Sequence, residues 1–141
     1  MRTATANSYT KTLTAETTAE EVFHALTDPG AITAWWSAAS VTGSGQTGGE
    51  LHITFGTEPE PTVMRVLAAH RPDMVIWDVA ASPLVPDWVG TRPTFTMTPA
   101  GDGCRLDFAH HGLIPDLECF DRCATDWGHF LVRIADHVQG R

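Results

Sequence analysis

Positive charge is scarce in this chain. Nine Lys and Arg stand against seventeen Asp and Glu in 141 residues, a formal charge of −8, and no stretch gathers the cations together. Phosphate backbones and anionic lipid headgroups repel such a chain, so nucleic acid and membrane surfaces are poor partners. Cysteine is scarce too. Cys104, Cys119 and Cys123 are odd in number, and the last two fall one helical turn apart, which disfavours a disulfide framework. The opening MRTATANSYT lacks the apolar run of a secretory signal or spanning helix, so the expected location is cytoplasmic. No linker, repeat or low-complexity run divides the sequence. The expectation is therefore one domain, 1–141, long enough for a real core.

What the chain does have is patterning whose period changes along its length. Asn7 to Ala15 reads as a first strand. In TTAEEVFHALTDPG, Thr17 with Glu20 or Thr18 with Glu21 makes a capping box before Val22, Phe23 and Leu26, and Pro29 ends the helix at Asp28. Ile32, Trp35 and Trp36 share one side of a further short helix. From Ser37 the period becomes two. Val41 and then Leu51 and Ile53 flank a glycine-rich turn; PTVMRVLAAH, RPDMVIWDVA, GTRPTFTMTP and CRLDFAHHGL come next as strands, the last two joined by the hairpin turn AGDG. Strands with one apolar and one polar face form an antiparallel sheet covered on one side.

The final stretch, Asp116 to Gln139, returns to a helical period. Leu117, Phe120, Ala124, Trp127, Leu131, Ile134 and Val138 fill one arc, widened by Cys123 and Phe130. Pro115 stops the preceding segment, and Asp116 suits the N-cap. The order is strand, two short helices, six strands, long helix: an α+β layout in which a curved sheet of six to seven strands wraps the last helix.

The strings AEEVFHALTDPGAITAWW, GGELHITFG, RPDMVIWDV, the GDG turn with RLDFAHHGL, and DWGHFLVRIADHV resemble the SRPBCC superfamily, the START-like proteins of helix-grip fold. The likeness is strongest to the AHSA-like branch, named after activators of a heat-shock chaperone's ATPase, and it covers nearly the whole chain in order. It implies a deep cavity between concave sheet and C-terminal helix, used across the superfamily for apolar small molecules. Carried over, Trp35 and Trp36 stand at the pocket mouth, Trp77 in the central strand, His110 at the end of the last strand and Trp127 in the closing helix. Cys104 departs from an expected threonine, and Asp126 from a common glycine.

Pattern and resemblance together mark a candidate site. Trp35, Trp36, Phe55, Trp77, Trp88, Phe95, Phe108, Cys123, Trp127 and Phe130 are wall candidates, for each of which ordinary core packing is the competing reading. Trp88 lies in the proline-bracketed loop SPLVPDWVG, a candidate lid. His110 shares an inward face with Leu106 and Phe108, where it is a hydrogen-bonded structural group, a ligand contact or, as the one weak catalytic candidate, a proton carrier. Arg92 or Arg122 at a cavity mouth would hold a carboxylate. Cys119, Cys123 and a histidine lack the spacing of a structural zinc site, and no base or oxyanion hole supports a cysteine nucleophile. Gly48 and Gly49 precede no helix and make no phosphate loop, so neither metal nor cofactor is expected. The leading expectation is binding of an apolar or aromatic small molecule. The alternatives are a cyclase, dehydratase or hydrolase acting on a polyketide-like or lipid-like substrate, and a protein that modulates a chaperone or other partner. Homodimerisation through an edge strand or the Val132 side is also open to it.

Overall fold

The computed structural model describes residues 8–56, 58–114, 117 and 120–140. β1 (Ser8–Ala15) leads into α1 (Ala19–Thr27) and α2 (Pro29–Trp36), followed by β2 (Ser40–Gly43), β3 (Glu50–Thr54), β4 (Thr62–His70), β5 (Met74–Ala81), β6 (Arg92–Ala100), β7 (Gly103–His111) and α3 (Phe120–Val138). The seven strands form one antiparallel sheet in the order β1-β7-β6-β5-β4-β3-β2, which confirms the α+β helix-grip layout. The chain builds the sheet sequentially from β2 to β7, and β1 adds at the far edge beside β7.

Local chemistry sets the boundaries. Thr18 caps α1 by accepting from the Glu21 N–H, the second of the two expected registers of the capping box. Asp28 then serves twice: it ends α1, and its carboxylate accepts from the Ala31 N–H to cap α2, whose first residue is Pro29. Ser37 closes α2 in the left-handed region, φ 56°. At the other end of the chain Leu117, expected within the last helix, is not helical. Leu117 sits in a turn, its N–H bonding Ile114 O and its own carbonyl accepting from Phe120, and the described helix runs Phe120–Val138. The expected stop at Pro115, the cap at Asp116 and the thiol of Cys119 lie outside the described residues.

Alternation sorts the sheet as the sequence implies. Leu51 and Ile53, Val75, Trp77 and Val79, Phe95 and Met97, and Leu106, Phe108 and His110 all point inward and are buried. They meet α3 through Cys123, Trp127, Leu131, Ile134 and Ala135. Between β4 and β5 the ladder is irregular: Val63 pairs with Ala81 but Met64 with Val79, leaving Ala80 as an extra residue. Such a bulge bends the strand and reverses the facing of the residues beyond it. Among the described residues no helix is long and apolar enough to cross a membrane.

Candidate functional site

The space facing Trp127 is occupied by rings. Phe108 lies 4.4 Å from Trp127, centroid to centroid, and Trp88 stacks on Trp127 at 5.7 Å with planes 15° apart. Trp36 runs nearly parallel to both Trp35 (5.0 Å, 13°) and Trp77 (6.0 Å, 12°), and also touches Trp127 at 5.7 Å. Phe95 closes on Trp77 at 5.0 Å. All five tryptophans thus belong to one contact network, and each is buried. Where a deep cavity was expected between sheet and helix, aromatic side chains fill the interior.

His110 is held inside this network at both nitrogens. The Trp127 indole N–H donates to Nδ1 at 2.9 Å, which makes Nδ1 the acceptor of the neutral ring. Nε2–H is then the donor to Thr91 Oγ1 at 2.6 Å, and the Thr91 hydroxyl donates in turn to the Trp88 carbonyl. The imidazole is fully buried, and burial, aided by the charge of neighbouring His111, pulls its pKa down to about 3. A ring so engaged is a structural connector between β7, α3 and the loop carrying Trp88. Trp88 turns its own N–H to Cys123 Sγ at 3.3 Å, and Trp35 donates to the Ala25 carbonyl at 2.7 Å.

An opening remains at one end of the aromatic network. A cleft of about 150 Å³ lies between α3 and the β5–β6 connection, with Trp36, Phe55, Trp88 and Phe130 as its aromatic wall and Leu84 and Val85 as its aliphatic one. Thr62 and Ser82 add hydroxyls. Arg122 and Asp126, one helical turn apart on α3 with Nε and Oδ2 3.7 Å from each other, complete the lining. Trp88 reaches the cleft from a short 3₁₀ turn, Pro86–Trp88, where it is a buried plug; Leu84, half exposed, is the more accessible part of that loop.

A family model described as "Activator of Hsp90 ATPase homolog 1-like protein" matches residues 16–139. The chain belongs to that family. Solved structures agree on the fold of this AHSA1-like chain. The Aha1 dimer of Colwellia psychrerythraea is similar at 20% identity, with 94% of this chain and 96% of that one covered and a TM-score of 0.79. Protein NE0264 of Nitrosomonas europaea is similar at 14% identity, 98% and 97% coverage, and a TM-score of 0.80. CalU16 of Micromonospora echinospora is similar at 18% identity, 93% and 75% coverage, and a TM-score of 0.71. No curated relative matches the sequence.

On this AHSA1-like fold the expected site residues fall into three places. Trp36, Phe55, Trp88 and Phe130 come together around the cleft. Trp35, Trp77, Phe95, Phe108, His110, Cys123 and Trp127 belong to the packed interior behind it. Arg92 lies on the other side of the sheet: it is three residues from inward Phe95, an odd step that turns it outward, where it pairs with Asp78 at 3.7 Å. Of the two arginines expected as carboxylate holders, Arg122 lines the cleft and Arg92 does not. Sequence reasoning did not single out Thr62, Ser82, Leu84 or Val85. Thr62 was within reach, because it alternates with inward Met64 and Val66. Ser82 was not, because only the bulge at Ala80 turns it inward.

Proposed function

We propose that this chain binds a compact apolar or aromatic small molecule in the cleft bounded by Trp36, Phe55, Trp88 and Phe130. One observation carries the reading: beside a filled interior, an apolar space stays open where α2, α3 and the β5–β6 connection meet. Its volume of about 150 Å³ is below the usual range of roughly 300–1,000 Å³ for ligand pockets. A single ring or a short acyl tip is the suitable occupant, and apolar cavities of this order are known to take up benzene-sized molecules. Membership of the AHSA1-like family and likeness to CalU16 support a ligand-binding fold without specifying the ligand. Proton transfer by His110 has no such support, since the ring is spent on Trp127 and Thr91 and does not line the cleft.

The test is a titration of the protein with toluene and indole, read by calorimetry and native mass spectrometry, beside Leu84→Trp. Leu84 is half exposed, so a larger ring there occupies the cleft without disturbing the core. Binding to the wild-type chain and its loss in Leu84→Trp, with unchanged melting, are the expected results. Equal affinity in both proteins, or no binding to either, overturns the proposal.

A further inference from the structure

The polar side of the cleft has chemistry that an apolar ligand alone leaves unused. Thr62 and Ser82 are 3% and 6% exposed, line the cleft, and have no side-chain hydrogen-bond partner among the described residues. Among the described residues the buried side-chain atom without a partner is Trp77 Nε1, so neither of these oxygens is sealed from solvent, and both are free to meet a molecule in the cleft. Both reach the cleft from the same end of the β4–β5 ladder. Val63 pairs with Ala81; Thr62 precedes that pair on β4 and Ser82 follows it just beyond the end of β5, and both are buried where Val63 and Ala81 are less so. The bulge at Ala80 is what brings Ser82 onto this face. Without it, strict alternation from Val79 would send Ser82 outward and leave Thr62 alone.

We infer that the ligand is a neutral, oxygen-bearing aromatic molecule, a phenol or an aryl carbonyl, whose oxygen is bound between the hydroxyls of Thr62 and Ser82 while its ring lies against Trp36, Phe55 and Phe130. Each hydroxyl both donates and accepts, so the pair can serve a carbonyl oxygen by donation or a phenol by either role. Charge decides against a carboxylate. The lining cation, Arg122, has Asp126 beside it, so the lining carries no net charge, and the whole chain bears −8. An anion gains no net attraction there and gives up its hydration on entering. The inference rests on the cleft reading and adds the chemical class of its occupant.

The experiment measures toluene, phenol and benzoate by calorimetry on the wild-type chain and on Thr62→Val, Ser82→Ala and the double variant. Toluene reports the cleft alone. Phenol adds one hydrogen-bonding oxygen, and benzoate adds charge. The readout is the ratio of phenol to toluene affinity, because the ratio cancels any change in cleft shape. It is expected to fall about fivefold in each single variant and further in the double variant, the size expected for one net hydrogen bond. A ratio that stays constant while toluene still binds overturns the hydroxyl assignment and leaves the cleft reading intact. Absence of toluene binding to the wild type sinks the cleft reading itself. Benzoate binding tighter than phenol, with the advantage removed by Arg122→Gln, would show that the cleft selects anions and overturn the choice of a neutral ligand.

Discussion

Both nitrogens of His110 are committed inside the core, and the consequence is a pH dependence of folding. Its folded pKa is about 3 against an ordinary 6.5, lowered first by burial and then by His111. Below about pH 6.5 the unfolded chain takes up a proton that the native imidazole refuses, so the unfolded state binds more protons and stability falls with acidification. The native contribution is complete above pH 6.5 and is lost progressively towards pH 3. Each pH unit inside that window removes up to about 1.4 kcal/mol. Glu20, held low by its hydrogen bond to Arg71, contributes only in the carboxylate range, which keeps the upper part of the window for the histidine. Urea unfolding at several pH values should therefore show a declining midpoint just below neutrality, and His110→Gln should flatten that decline. A midpoint insensitive to acid in the wild-type chain would contradict the buried neutral ring.

At the scale of elements, α3 carries one residue that helix physics disfavours. Gly128 lies inside Phe120–Val138, next to Trp127, and a Cβ built there meets nothing within 4 Å. Glycine in a helix interior is about 0.8–1.0 kcal/mol worse than alanine. Gly128→Ala should accordingly stabilise the protein by about 0.5–1 kcal/mol, seen as a higher denaturation midpoint; a lower one would show that the helix needs the missing side chain for a partner or a bound molecule. The elements themselves were nearly all legible, because each change of hydrophobic period coincides with a change of structure: the capping box at Thr18, the shift to alternation after Ser37, the hairpin at Gly101 to Gly103. What stayed hidden was long-range. Periodicity put Trp127 on an apolar arc but could not say that Phe108, Trp88 and Trp36 would fill the space before it. Nor could alternation find Ser82, since a bulge is a property of the pairing with β4 and leaves no mark in the composition of β5. Arg92 is the opposite case, because its odd step from Phe95 already marks it as outward-facing in the sequence.

For the molecule as a whole, the tryptophans connect every layer. Trp35 and Trp36 come from α2, Trp77 from the middle of the sheet, Trp88 from the β5–β6 connection and Trp127 from α3, and ring contacts join them without a gap. His110 and Thr91 tie β7, the loop and α3 a second time, through hydrogen bonds rather than packing. No layer can leave while the others keep their neighbours, since removal of α3 alone would expose Trp36, Trp88 and Phe108 together. Small domains whose core is shared in this way unfold in one step. The expectation of a single domain thus becomes measurable: tryptophan fluorescence, which reports the aromatic network, and far-ultraviolet circular dichroism, which reports backbone order, should give superimposable urea transitions with the same midpoint. A fluorescence transition preceding the loss of dichroism would mean that the helix and the loop bearing Trp88 detach from a sheet that persists. In that case the cleft between them would be a place where the fold opens rather than a preformed binding site, and toluene should then bind weakly and raise the fluorescence midpoint little, because ligand stabilisation follows RT ln(1 + [L]/Kd).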